Sequence, residues 1–471
     1  MISIKAKKHD NFSVEFKFGF DCSIDGVRDD FSVNAWMFVP KSLDINADTY
    51  GKEQFYRDIK SNVRLITPSY LLCDIAKEDS LPLSLLKSAM EKVASSPHTA
   101  DLSAYVYHLK MFAAIFKSAL SDKAEEDFLS HTEYVLKKYR SLYAIIDKPS
   151  MSEQARSYYR LCDEFITHMV EIKAIEIVRQ IDSANPSPRD VVIRDRFAQM
   201  VMAQREYKTQ KGYGVLNGDE THDRRFVYHR GMLKKFIESD LYINLNKKKD
   251  GVAVEQILYS IAAGVAMIFA TGIAWFTQVK YGNITWPLFV VLVVSYMLKD
   301  RIKELMRYYF AHKLGNKYFD KRADISIGRK LVGVMKEGFD FISWSRVPDQ
   351  VKELREQTSS IADETHIFEE KILLYRKRLT IDDKTLQSDS VYPMNGINEI
   401  MRLHLSRFTQ KMDNPTVPID TFDKDGNVIT IQVQKSYYIN LVFQLQHNGE
   451  VEYHHFRITM TRDGVLHVVE V

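Results

Sequence analysis

One feature constrains this chain more than any other: from Ile257 to Thr277 (ILYSIAAGVAMIFATGIAWFT) there are 21 residues without a formal charge. As a helix this run matches the ~20 residues needed to cross a ~30 Å hydrocarbon core. A second charge-free run, Tyr281 to Leu298, holds 18 residues, about 27 Å as a helix at roughly 1.5 Å per residue. Backbone amides in lipid must bond internally, and Lys280 to Asn283 offer the only polar break between the runs. The pair therefore predicts a transmembrane helical hairpin, about 257–277 and 281–298, closed by a tight turn. Pro287 then falls in the first turn of the second helix, where its missing N–H costs little. Trp275 and Trp286 sit near the turn as interfacial aromatics do. Ser260, Gly264, Ala266, Ala270, Gly272 and Ala274 offer small surfaces for close helix approach. The bland alternative is a pair of helices buried in a large soluble core.

Charge asymmetry sets the orientation. Lys247, Lys248 and Lys249 precede the first run and Lys299, Arg301, Lys303 and Arg307 follow the second, whereas the turn carries only Lys280. The positive-inside rule then places both flanking regions, and both termini, in the cytoplasm, consistent with a two-pass protein of a bacterial inner membrane. The same cations suit anionic lipid headgroups, although topology alone explains them equally well. Asn283-Ile-Thr285 reads as a chance glycosylation sequon, too close to the bilayer for modification.

The chain of 471 residues is long enough for about two to four domains. Lys and Arg number 65 against 62 Asp and Glu, a net charge of +3, which argues against a chain-wide nucleic-acid field. Cys22, Cys73 and Cys162 are far apart and form no CxxC; a disulfide framework or thiolate metal site is disfavoured and a reducing compartment suits them. Met1-Ile-Ser-Ile-Lys5 lacks the apolar stretch of a signal peptide.

The patterning divides the chain into five regions: 1–75 β-rich; 76–250 a cytosolic helical bundle; 251–314 the membrane hairpin with a helical extension; 315–390 a helical connector; 391–471 a helix plus an antiparallel β-meander. Phe12, Val14, Phe16, Phe18 and Phe20 alternate as a half-buried strand, paired through Asp25-Gly26 with Phe31 to Val39. Leu102, Tyr105, Leu109, Phe112, Phe116 and Leu120 recur as a helical stripe, and Ser150 with Glu153 reads as a capping box for the helix that follows. Val351, Thr358, Thr365, Ile372 and Leu379, with Leu354, Ile361, Phe368 and Tyr375, form a weak heptad pattern. Asp425-Gly426, Asn448-Gly449 and Asp463-Gly464 punctuate β-rich runs, with a covering helix expected near 397–412. The fold class read from the sequence is thus an α+β integral membrane protein.

The densest polar cluster is Asp219 to Arg225, followed by His229 and Arg230. On a helix Asp219, His222 and His229 share a face, so carboxylate and imidazole ligation is geometrically open there. His222 and His229 lie about 10 Å apart along the axis, too far to share one ion, and the neighbouring cations oppose a metal. A capped, solvated helix start is the favoured reading. The doublet His222-Asp223 is similar to the paired ligand of metal-dependent phosphohydrolases with helical sites, which would also need an upstream His, such as His131 or His168, and a downstream Asp; no pattern selects them. Gly212, Gly214 and Gly218 match neither dinucleotide nor P-loop spacing. Asp423 to Asn427 begins like a calcium loop, but Val428 stands where an invariant Gly belongs. His454 and His455 point to opposite faces of a strand.

No cofactor and no metal are expected. The leading functional reading is a membrane-tethered, non-catalytic scaffold, sensor or regulator facing the cytosol, with the lipid bilayer and a protein partner or second copy as its partners and no specific nucleic acid. The alternatives are a membrane-anchored metal-dependent hydrolase or nucleotide-handling enzyme centred on Gly212 to Arg230, with His222, Asp223 and His229 in catalytic positions, and a membrane-perturbing effector of bacterial defence.

Overall fold

The computed structural model describes residues 2–22, 28–95, 101–121, 127–183, 187–282, 286–315, 319–327, 330–357, 370–388, 391–394 and 396–471. The chain forms two compact units: Met1–Val63 with Asn244–Asp389 and Gly396–Val471, and Arg64–Ile243 with Ser390–Asn395.

The first unit is built on β-sheets. Its strands are β1 (Ile2–Asp10), β2 (Ser13–Asp21), β3 (Arg28–Pro40), β4 (Ile59–Leu65), β5 (Asn244–Lys249), β6 (Lys321–Ile327), β7 (Lys330–Ile342), β8 (Glu370–Asp382), β9 (Gly396–His404), β10 (Thr416–Phe422), β11 (Val428–Gln434), β12 (Tyr437–His447), β13 (Glu450–Thr461) and β14 (Gly464–Glu470). An eight-stranded sheet runs β14-β13-β12-β3-β8-β7-β6-β5, a four-stranded sheet runs β1-β2-β9-β4, and β10-β11 stand as a sheet of two. The large sheet joins strands from before and after the apolar helices, β3 pairing with both β8 and β12. Alternation along β2 puts Phe16, Phe18 and Phe20 on one buried face. Phe16 and Phe18 meet Phe443 of β12 at ring distances of 5.1 and 5.8 Å, and Phe20 meets Phe31 of β3 at 5.3 Å, so aromatic rings fill the space between the sheets. In the hairpin turns Gly426, Asn448, Gly449 and Gly464 all take positive φ, the conformation that tight turns demand.

Between β5 and β6, which pair antiparallel with Lys249 opposite Lys321, the chain leaves the sheet and returns. The excursion consists of α10 (Val252–Tyr281) and α11 (Trp286–Gly315). They lie antiparallel: the Ser295 hydroxyl donates to the Ala270 carbonyl at 3.2 Å, and the Arg307 guanidinium sits 5.3 Å from the Tyr259 ring. Ala262 and Ala266 are fully buried at this contact, whereas Gly264 and Gly272 open onto empty space.

This geometry corrects the expected two-pass integral membrane fold. Among the described residues one helix, Val252–Lys280, is long and apolar enough to cross a membrane, and a two-helix transmembrane hairpin is not supported. The physical reason lies in how the second run is divided. Tyr281 ends α10, Gly282 breaks the helix at φ 76°, and α11 starts at Trp286. The charge-free part of α11 is then Trp286 to Leu298, 13 residues, about 20 Å of helix where a ~30 Å core must be crossed. The sequon Asn283–Thr285 lies outside the described residues, as does the Asp25-Gly26 turn.

Two further expectations are overturned. The helical connector at 315–390 is instead β6, β7, a short helix α12 (Asp349–Glu356) and β8. Ile372, Tyr375 and Leu379, read as heptad positions, belong to a strand whose buried face carries Leu373, Tyr375, Lys377, Leu379 and Ile381 at spacing two; Thr358, Ile361, Thr365 and Phe368 lie outside the described residues. The helix expected near 397–412 is mostly β9, with Ile397, Glu399, Met401 and Leu403 buried alternately, followed by one helical turn at Ser406–Thr409.

The second unit is helical: α3 (Leu81–Ser95), α4 (Ser103–Ala119), α5 (Phe128–Ser141), α7 (Glu153–Ser183), α8 (Pro188–Lys211) and α9 (Glu220–Glu238), with short helices α2 (Leu72–Ile75) and α6 (Tyr143–Ile146) between them; α1 (Lys52–Asp58) belongs to the first unit. Tyr105, Leu109, Phe112 and Phe116 form the buried stripe of α4, with Phe112 stacked on Tyr139 of α5 at 5.2 Å. The cap of α7 is Ser152, whose hydroxyl accepts from the Ala155 amide at 3.2 Å, rather than Ser150. α8 starts with a capping box between Ser187 and Asp190 and ends at Gly212 in the left-handed conformation.

Candidate functional site

The polar cluster singled out in the sequence sits at the start of α9. Asp219 caps the helix, accepting from the His222 amide at 3.1 Å. The Asp223 carboxylate accepts from the Asn217 amide at 3.2 Å and lies 3.5 Å from His222 Nδ1. His229 Nε2 is 3.1 Å from Glu164 of α7, and Arg224 pairs with Glu220. The His222 and His229 side chains are 44% and 48% exposed. Among the described residues no group of three His, Cys, Asp or Glu side chains is placed to hold a metal. The adjoining glycines serve the backbone: Gly212 and Gly218 take φ of 72° and 85°, and a Cβ on Gly214 would meet the Phe226 ring at 3.0 Å.

Under this surface lies a buried network that sequence inspection missed. Asp163 of α7 accepts hydrogen bonds from the Tyr207 and Tyr213 hydroxyls, both at 2.8 Å. Arg140 of α5 approaches Asp163 at 3.6 Å, donates to Thr167 and Gln204, and rests 3.6 Å above the Tyr207 ring. Nearby, the buried Lys208 ammonium pairs with Glu171 and lies 2.9 Å from His168 Nδ1. Burial, then the Lys208 charge, pushes the His168 imidazole down to about 4, so the ring is neutral near pH 7 and accepts from the ammonium. Burial works against ionisation of Glu171, but hydrogen bonds from Lys208 and Arg205 hold its carboxyl below the usual range. These groups pair with one another across three helices; His168 turns Nδ1 to Lys208, its ring lies 5.2 Å from Phe226, and its Nε2 is buried without a hydrogen-bond partner among the described residues.

A second buried cluster crosses the strands of the first unit. The Lys377 ammonium of β8 lies 3.3 Å from Glu337 of β7 and pairs with Glu399 of β9, all three side chains being at most 4% exposed. Tyr375 donates to Glu337 at 2.9 Å and Ser61 to Glu399 at 2.6 Å. Burial alone would lower the Lys377 pKa, yet Glu399 and Glu337 raise it. Burial likewise opposes Glu337, which Lys377 and Lys247 bring below its ordinary value.

The strongest surface signal is α10, whose apolar window is only 11% buried. Ile257, Ile261, Ile268, Trp275 and Phe276 all face outward. Its flanking cations divide by environment. Lys247 reaches Glu337 at 3.8 Å and so serves the sheet. Lys248 and Lys249 are 62% and 68% exposed, near Asp324 and Glu255 respectively. On α11, Lys299 lies 3.9 Å over the Tyr296 ring, Arg307 pairs with Glu304 at 3.2 Å, Arg301 is exposed and Lys303 half-buried. No family model matches the chain, and neither a curated protein nor a solved structure is similar to it.

Proposed function

We propose that the chain is a non-catalytic scaffold that attaches to a lipid surface by dipping the α10–α11 arm into it from one side. The observation that carries this reading is the exposed apolar helix α10, tethered at both ends of its excursion to neighbouring strands of one sheet. Because β5 and β6 pair with each other, the arm leaves and re-enters the folded body at one place. Both termini then stay on the side from which the arm enters, and the exposed Lys248, Lys249 and Arg301 make this the cytoplasmic, anionic face. About 20 Å of charge-free α11 reaches past one leaflet of a ~30 Å core but not through it. A non-catalytic role is favoured because His229 is exposed, His222 and Asp223 are only half-buried, and all three are engaged in capping or charge-pair contacts of a helix start.

Vesicle flotation tests the proposal. The full chain is expected to float with phosphatidylcholine vesicles, more strongly when phosphatidylglycerol is included. A chain in which 252–315 is replaced by a short Asn-Gly turn between β5 and β6 is expected to stay at the bottom while keeping its β-sheet circular dichroism. A Lys280→Cys chain should resist an impermeant maleimide offered from the far side of the bilayer. Flotation of the deletion chain, or far-side labelling at residue 280, rejects the reading.

A further inference from the structure

The β10–β11 hairpin is the second place where apolar surface faces outward. It stands as a two-stranded sheet, and every residue of both strands is exposed. Its register sorts the side chains into two faces, because directly opposed residues in an antiparallel pair project to the same side. One face carries Thr416 with Gln434, Pro418 with Gln432, Asp420 with Thr430 and, next to the turn, the exposed pair Phe422 with Val428. The other carries Val417 with Val433, Ile419 with Ile431, and Thr421 with Ile429. That second face has no charge, and its five aliphatic side chains are 38–48% exposed. An isolated two-stranded hairpin is marginal in water, so such a face needs cover.

We propose that this face docks against the same face of a second copy of the chain, about a two-fold axis passing near the Ile419–Ile431 pair. Charge selects the occupant. The hairpin tip carries Asp423, Lys424 and Asp425, a net negative charge that disfavours an anionic lipid surface. The face itself offers no charge for a polar partner to pair with. Its own copy presents the uncharged, β-branched surface that it can cover, and a two-fold contact brings each residue type against its equivalent. Five aliphatic side chains per copy cover on the order of several hundred Å², below the ~1,200 Å² of a standard interface, so pairing is weak and concentration-dependent. It stands independently of lipid attachment, which would strengthen it by raising the local concentration.

Sedimentation equilibrium of the full chain in density-matched detergent tests the pairing. The wild-type chain is expected to pass from monomer to dimer as its concentration rises through the micromolar range. Ile431→Glu, at a half-exposed position outside the core, should weaken the dimer at least about tenfold. An equimolar mixture of Ile431→Glu and Ile431→Lys chains should recover dimer that neither forms alone, because the opposed charges meet across the axis. A monomeric wild type, an undiminished Ile431→Glu dimer, or no recovery in the mixture overturns the proposal; an undiminished dimer would place self-association elsewhere, on α10 for instance.

Discussion

The Glu337–Lys377–Glu399 cluster and the His222–Asp223–His229 cluster are both groups of titratable side chains, yet they differ in every physical respect. The first is shut between strands, with an ammonium divided between two carboxylates and hydroxyl donors from Tyr375 and Ser61 beside it. The second lies on a helix surface in water, where a capping carboxylate and short ion pairs account for its members. Conspicuous polar density along the sequence marked the solvated group. The energetically costly charges lie on three different strands, two of them beside other charged residues, so nothing in the sequence sets them apart. A charge in a low-dielectric interior is held by its partners, whereas one in water is nearly indifferent to them.

Several substitutions would break or sharpen this contrast. Lys377→Met strands two carboxylates in the core and should cost about 3–5 kcal/mol, read as a lowered urea midpoint; pairing it with Glu337→Gln and Glu399→Leu should restore much of the loss. A loss under 1 kcal/mol would show that water reaches the cluster. In the helical unit, Lys208→Met should cost about 2 kcal/mol, because Glu171 keeps Arg205 as a partner. His168 gives a pH signature of at most about 3 kcal/mol. With its folded value near 4 and the ordinary value near 6.5, the unfolded chain binds a proton that the folded chain refuses between those limits. Stability is therefore full above pH 6.5 and falls as the pH drops towards 4. His168→Gln should flatten that part of the profile. The smallest effects are expected at the surface: His222→Ala and His229→Ala should each stay within about 0.5 kcal/mol.

Parts of this architecture could be read from residue patterns. The Phe16, Phe18 and Phe20 alternation, the α4 stripe and the turn dipeptides before β11, β13 and β14 all act through local geometry, and local geometry is what spacing encodes. Where spacing is ambiguous the reading failed. Ile372 and Leu379 are seven apart, which fits a heptad, but Leu373, Tyr375, Leu379 and Ile381 also fit a strand, and pairing with β3 and β7 decided the matter. Glu399 hid β9 because a carboxylate at a buried position breaks the apolar alternation, and its partners, Lys377 of the other sheet and Ser61, are remote in sequence. The charge-free count over 281–298 missed the helix break at Gly282, since absence of charge does not report where a helix starts.

The mounting of the α10–α11 arm has a mechanical consequence. Its two roots are the adjoining ends of β5 and β6, Lys249 and Lys321. A tug on the arm reaches both strands together, so it does not pry them from one another; the load passes to the ladder between β6 and β7. Tension at a membrane would thus be borne across a whole row of interstrand hydrogen bonds inside the large sheet.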